Sequence, residues 1–188
     1  IMECSQGLKN FLRGYFHFKS YDFYLNKPFR LSSFTALEMA KLPEYYIMNY
    51  NLGMAQTVAK FMPSENEIKK CKWLNNQDLK VYVKSFENNG IQKPLNWYKL
   101  MLSNKEKEQI IKLKLPDATC IPTVFISGVS DWGVYQKPGE VEKMEKKFLK
   151  NYFGTILIDN AGHWVQQEQP VKTAKEILKF YNKLNIIN

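Results

Sequence analysis

Two loops of the chain carry side chains that could work together as an acid and a base, and each loop follows a short apolar run. Asp131 stands in the loop after the run 123–127, and His163 stands in the loop after the run 155–158. A carboxylate beside a histidine fixes the tautomer of the imidazole, which then acts as a general base. The spacing therefore predicts two members of a hydrolytic triad, in which Asp131 orients His163.

The two apolar runs predict buried parallel strands. Both are short and rich in β-branched residues, which is typical of strands that are covered on both faces. Gly162 permits the backbone angles that would present His163 at the carboxyl end of its strand, where open α/β sheets build their sites. Pro138 opens an apolar helical pattern between the strands, which predicts a right-handed crossover, and Pro170 opens a last helix.

The third member of such a triad is absent from these 188 residues. In α/β-hydrolases the chain order is nucleophile, acid, histidine, and the nucleophile lies on a tight Gly-x-Nuc-x-Gly turn. No two glycines of this sequence are four positions apart, so this pentapeptide does not occur. The pattern predicts the second half of a hydrolase, whose nucleophile comes from outside the chain.

Four stretches resemble segments of epoxide-hydrolase-like α/β-hydrolases, in the order in which that family carries them. The stretches 127–139 (SGVSDWGVYQKPG) and 162–170 (GHWVQQEQP) are similar to the acid and histidine segments of the family. The stretch 94–98 (PLNWY) resembles a motif of the family's cap domain, and 12–20 (LRGYFHFKS) is similar to an early cap helix. The resemblance extends over nearly the whole chain.

The resemblance implies an α/β fold and a role for three residues. A helical cap is expected in residues 1–115, followed in residues 116–188 by the last two parallel strands of a hydrolase core with their flanking helices. Tyr98 is expected to donate a hydrogen bond to the epoxide oxygen, and a phenol is protonated at pH 7 as that role requires. His163, oriented by Asp131, is expected to activate the water that hydrolyses a covalent ester. Such a mechanism needs no metal and no organic cofactor, and its substrate is a small apolar epoxide or a related compound.

The remaining machinery of the family would precede these motifs. It comprises the first strands of the sheet, an oxyanion-hole motif, an Asp nucleophile, and a partner tyrosine or histidine early in the cap, all of which we expect to lie outside this chain. Because the sequence opens with Ile1, we expect a truncated, split or internally derived product, with a start at Met2 as the alternative. The incomplete sheet should expose an edge that binds an N-terminal half or a second copy of the chain.

Three functions stay open on the sequence alone. The chain is the C-terminal part of an epoxide hydrolase, or it is part of an esterase or haloacid dehalogenase on the same scaffold, or it is an inactive interaction protein that keeps the motifs. A serine nucleophile would indicate an esterase, whereas an aspartate fits epoxide and carbon–halogen chemistry. His17 is the other histidine, and its place beside an apolar helical stripe, with no acidic loop nearby, favours a structural role.

The composition narrows the class of protein further. With 188 residues, 45% of them hydrophobic and 14% aromatic, the chain has enough apolar surface for a packed core. The net charge of +9 comes from lysines spread along expected helical faces, which does not favour nucleic acid as a partner. The three cysteines show no CxxC or metal-ligand spacing, and no apolar stretch approaches the ~20 residues of a membrane span. These features predict a cytoplasmic protein without a membrane partner.

Overall fold

The N-terminal part of the chain is helical. The structure, a computed structural model, describes residues 1–113 and 116–187. Within these ranges, seven helices precede the first strand: α1 (Gly7–Lys19), α2 (Ala36–Met39), α3 (Met54–Ala59), α4 (Glu65–Lys70), α5 (Asn76–Asn89), α6 (Gln92–Leu102) and α7 (Asn104–Lys112).

The C-terminal part alternates strands and helices, as predicted. Its elements in chain order are β1 (Thr123–Gly128), a 3-10 turn (Trp132–Val134), α8 (Glu140–Lys143) with a π-helical turn (Met144–Phe148), β2 (Tyr152–Ile158), α9 (Val165–Glu168) and α10 (Pro170–Ile187). No helix in the described ranges is both long and apolar enough to cross a membrane.

β1 and β2 pair in parallel, which confirms the predicted α/β arrangement. Phe125 lies opposite Thr155, and the register shifts just before this pair, where β2 carries one extra residue. Gly154 has φ 110° at this point, a conformation that favours glycine. With this irregularity included, β2 begins at Tyr152, three residues before the predicted run 155–158. Because the strands are parallel, the loops after Gly128 and Ile158 leave the sheet at the same edge.

The prediction that both strands are fully buried is wrong. Only the carboxyl ends are covered: Ser127 and Gly128 of β1 and Ile158 of β2 are buried, while the other strand residues are half-buried or exposed. The physical reason is that the sheet has just these two strands in the part of the chain that the structure describes. A parallel pair needs neighbouring strands and helices on both faces to become buried.

The main core lies around α1 and not around the sheet. Its apolar residues recur at helical spacing, which produces a buried stripe that includes Phe11, Leu12 and Phe16. Phe18 is only 1% exposed, and its ring stacks on that of Phe61 with a centroid distance of 4.4 Å. α1 therefore anchors the helical part of the molecule, and its last residues approach the histidine loop.

Candidate active site

The loops that carry Asp131 and His163 are hydrogen-bonded to each other at the edge of the sheet where both strands end. The backbone N–H of Val129 donates to Ile158 O at 3.1 Å, and that of Ser130 donates to Ala161 O at 3.0 Å. A Cβ atom on Gly128 would lie 2.3 Å from Ala161 O, so the loops come closer than any residue with a side chain would allow. This close approach brings the acid and the histidine together.

Asp131 and His163 form a hydrogen bond between Oδ1 and Nδ1 at 3.1 Å. An imidazole that carries its proton on Nδ1 donates this bond, and its Nε2 is then the basic nitrogen. The His163 side chain remains 34% exposed, whereas that of Asp131 is 13% exposed. The pair has the geometry of a base that is oriented by a carboxylate and open on one side.

Several donors keep Asp131 ionised despite its burial. Burial works to raise the pKa of its carboxyl, but the hydrogen bond and charge of His163 oppose this, together with hydrogen bonds from Gly133 and Ser127. The Gly133 N–H donates to Oδ1 at 2.8 Å, and Ser127 Oγ donates to Oδ2 at 3.2 Å. The net result is a pKa below the ordinary value, so the carboxylate is charged at neutral pH.

Glu168 holds the backbone on both sides of His163, a role that the sequence analysis missed. This buried carboxylate accepts hydrogen bonds from the N–H groups of Gly162 at 3.0 Å and Trp164 at 3.0 Å. It also accepts from the N–H of Tyr21 at 2.7 Å, just after α1. Burial raises the pKa of Glu168 to about 7, and the three N–H donors work in the opposite direction. The only sequence signal was an acidic residue five positions after the histidine.

The end of α1 supports the histidine loop from the other side. The His163 N–H donates to Lys19 O at 3.0 Å, and Trp164 Nε1 donates to Phe16 O at 2.8 Å. A Cβ atom on Gly162 would lie 2.7 Å from Lys19 O, which makes glycine necessary at this contact. The helical part of the molecule and the sheet are thus joined at the histidine.

Tyr98, the third predicted site residue, is not hydrogen-bonded to this pair. It lies on α6 and is 56% exposed. Burial raises the pKa values of the Tyr15 and Tyr46 phenols, and the charge of Tyr98 contributes to both shifts. The structure brings Asp131 and His163 into contact, whereas the role of Tyr98 remains a prediction.

Tyr46 is a second phenol that is influenced by the charge of Asp131, and the sequence analysis did not single it out. Burial, followed by the charges of Asp131, Tyr15 and Tyr98, raises the pKa of its hydroxyl, which therefore stays protonated. The neighbouring Tyr45 uses its hydroxyl to donate to Asn26 Oδ1 at 3.0 Å. No hydrogen bond from the Tyr46 hydroxyl is found within residues 1–113 and 116–187, which leaves it available as a donor.

The other histidine lies outside this group. His17 is buried in α1, with its ring edge-on to that of Phe23 and its Nε2 3.9 Å from Glu67 Oε1. Burial lowers the pKa of His17, and the charge of Glu67 opposes this effect. Among the described residues, no group of three or more His, Cys, Asp or Glu side chains is arranged to hold a metal ion.

Comparison with known proteins gives matches to several epoxide hydrolases. No protein-family model matches the chain. Epoxide hydrolase A of Mycobacterium tuberculosis is 28% identical over 118 residues, which cover 61% of this chain and 34% of the relative. The structure of potato (Solanum tuberosum) epoxide hydrolase I matches with a TM-score of 0.54 and 26% identity, over 66% of this chain and 39% of the potato chain. An epoxide hydrolase from an endophytic Streptomyces matches with a TM-score of 0.64, over 96% of this chain and 47% of that chain, and at 19% identity it supports the fold alone.

The parallel strand pair, the helices around it and the joined loops at one edge have the fold of the C-terminal portion of α/β-hydrolases. Within this class of fold, the relatives confirm the predicted resemblance to the C-terminal portion of epoxide-hydrolase-like α/β-hydrolases. The chain spans about a third of the curated relative named above.

Proposed function

We propose that this chain carries the cap and the acid–histidine segment of an enzyme that opens small apolar epoxides through a covalent ester. The observation that carries the proposal is the 3.1 Å hydrogen bond between Asp131 Oδ1 and His163 Nδ1 at the carboxyl edge of a parallel strand pair. The names of the relatives supply the reaction class. The cap corresponds to residues 1–115 and the core portion to residues 116–188.

In the first step, a carboxylate supplied by residues that are not among these 188 attacks one carbon of the epoxide. The new ester bond forms as the C–O bond of the ring breaks, and the ring oxygen keeps the electron pair. Tyr98 donates a hydrogen bond to this oxygen, and we assign the second donor to Tyr46 in place of the partner tyrosine or histidine expected outside the chain. One of the two phenols gives its proton to the ring oxygen, which becomes a hydroxyl, and the phenol regains a proton from solvent. Two neutral phenols suit this task because they donate to an oxygen that gains charge only as the ring opens.

In the second step, Nε2 of His163 removes a proton from a water molecule, and the oxygen of that water adds to the ester carbonyl. The ester bond to the substrate then breaks, and the leaving alkoxide takes the proton from the His163 imidazolium. This releases a diol, and the carboxyl group of the nucleophile returns to its carboxylate form by losing its proton to solvent. Asp131 stabilises the imidazolium that forms in between. Glu168 contributes by fixing the backbone of Gly162 and Trp164, so that the ring is oriented before the ester exists.

We propose an N-terminal segment of the same hydrolase scaffold as the partner that provides the nucleophile, with self-association along the sheet as the alternative. The half-buried strands support this, because β1 and β2 have uncovered apolar residues such as Leu157, which is 38% exposed. A cytoplasmic location remains our prediction from the cysteine pattern.

The test uses the protein as its source makes it, with whatever residues flank these 188. It is incubated with an aryl epoxide, an aryl ester and a haloacid, and the products are quantified. We expect diol from the epoxide, and we expect Tyr98→Phe to slow its formation about a hundredfold. Tyr50→Phe is the matched control, since Tyr50 is fully exposed and its substitution should change nothing.

Other outcomes assign the alternatives. Turnover of the ester or the haloacid, without turnover of the epoxide, would assign the chain to an esterase or a haloacid dehalogenase. No turnover of any of the three would assign it to an inactive interaction protein that keeps the motifs.

A further inference from the structure

Lys19 is a buried lysine whose ammonium group is surrounded by aromatic rings. The residue is 8% exposed. Its Nζ lies 5.6 Å from the ring centroids of Tyr15 and Trp164, and 5.5 Å from those of Tyr45 and Tyr46. In residues 1–113 and 116–187, no salt bridge or hydrogen bond to this Nζ is found. Buried lysines are almost always paired, so a cation held only by ring faces calls for an explanation.

The Lys19 ammonium lies between two parts of the proposed site, the loop that carries His163 and the group of tyrosines. Trp164 follows His163 directly, and Lys19 accepts the His163 N–H with its own backbone oxygen at 3.0 Å. Tyr46 also presents its ring to the ammonium, and among the described residues no hydrogen bond of its hydroxyl is found. The Asp131 carboxylate also acts on Lys19 through space. The cation therefore lies among the acid, the histidine loop and the phenols.

A purely structural role explains these features poorly. A leucine or methionine would fill the same space without the cost of removing a charge from water. Cation–π contacts repay part of that cost, and they also draw electron density from the rings. A phenol beside a cation donates a stronger hydrogen bond to an oxygen that gains negative charge.

We propose that Lys19 is a positioning residue whose ammonium, held among Tyr15, Tyr45, Tyr46 and Trp164, strengthens the Tyr46 hydroxyl as the donor to the opening epoxide. The proposal rests on the proposed function and extends it to a residue that does not touch the substrate. It assigns Lys19 to the ester-forming step and not to the hydrolysis by His163.

The test isolates ester formation in the complete protein. His163→Ala blocks hydrolysis, and the rate at which the protein gains the mass of an aryl epoxide is followed by rapid quenching and mass spectrometry. In this background, Lys19→Met removes the charge and keeps the length of the side chain. We expect ester formation to slow about tenfold. Lys60→Met is the matched control, because Lys60 also lies over an aromatic ring, that of Phe61, but is exposed and paired with Glu44.

The pH dependence of ester formation shows whether Lys19 acts through its positive charge or only through the space that its side chain fills. Burial lowers the pKa of Lys19 to about 8, and the charge of Asp131 opposes this. The other titratable groups that face it are the phenols of Tyr15, Tyr45 and Tyr46, whose pKa values burial raises. Ester formation should therefore decline above about pH 8 in the His163→Ala protein. Lys19→Arg should move this decline to higher pH, and Lys19→Met should abolish it.

Unchanged ester formation in Lys19→Met across this pH range would overturn the inference and leave the proposed function intact. If Lys19→Met does not fold, as judged by circular dichroism, the Lys19→Arg profile decides: a decline at the same pH as in the parent protein overturns the inference. Absence of any ester in the His163→Ala protein would overturn the proposed function, and the inference with it.

Discussion

The two sides of the proposed site are held in different ways. On the water-activating side, Asp131 and His163 are fixed by hydrogen bonds to each other, to Gly133 and, through the loop backbone, to Glu168. On the epoxide-opening side, Tyr98 lies on α6. The exposed apolar residues of α6 are Leu95, Trp97, Leu100, Met101 and Leu102.

This difference indicates where the geometry of each side comes from. The base is built by contacts within the described residues, so it is oriented before any partner binds. The phenol of Tyr98 lies on a helix with several exposed apolar residues, and under the proposed function we expect the N-terminal segment to cover them. The two sides should therefore respond differently to substitution and to the presence of flanking sequence.

The largest effect is expected at the acid. Asp131→Asn keeps the shape of the side chain but removes the charge that fixes the His163 tautomer, so we expect kcat to fall by about 10⁴-fold. Ester formation should continue, because the loss falls on hydrolysis. Single-turnover kinetics of both steps check this. Ser127→Ala is the control, since it removes one donor to Asp131 and should reduce kcat far less. Equal losses in both steps would mean that the two sides are not separate.

The next effect concerns stability around α1 and α6. Phe18 is 1% exposed, and Phe18→Ala should lower the free energy of unfolding by about 3–5 kcal/mol. Trp97 is 63% exposed, and Trp97→Ala should change the free energy of unfolding of the 188-residue chain by less than about 0.5 kcal/mol. In the protein with its flanking residues, Trp97→Ala should cost more than about 1 kcal/mol, because α6 is then covered. Urea unfolding measures all three values, and equal costs for Trp97→Ala in both forms would contradict our account of α6.

A smaller effect is expected from the ionisation of Glu168. Burial raises its pKa from 4.5 to about 7, so the folded protein holds this proton more tightly than the unfolded chain. The protonated Glu168 carboxyl contributes up to about 3 kcal/mol to the free energy of unfolding. This contribution is fully present below about pH 4.5 and is lost as the pH rises through about 7. Glu168→Gln should remove this slope in urea unfolding between pH 4 and pH 8. Glu108→Gln, on the exposed part of α7, should keep it. A slope that survives in Glu168→Gln would assign it to another group.

The sequence was sufficient to predict that Asp131 and His163 lie together, because their positions follow from local patterns. Each lies just beyond a β-branched run, and parallel strands bring such loops to one edge. The contacts of Glu168, Tyr46 and Lys19 are not local. Tyr21 and Glu168 are 147 positions apart, and no periodicity relates them. The early start of β2 depends on Gly154, whose positive φ a pattern of apolar residues does not reveal. The boundary between cap and core at residues 115 and 116 remains a prediction.

The most direct test of the account is the mass of the His163→Ala protein, made with its flanking residues, after it is mixed with an aryl epoxide. We predict that the protein gains the mass of one epoxide, that this ester persists, and that no diol accumulates. Continued diol formation without a covalent adduct would contradict the role of His163 as the base that hydrolyses an ester, and with it the central claim.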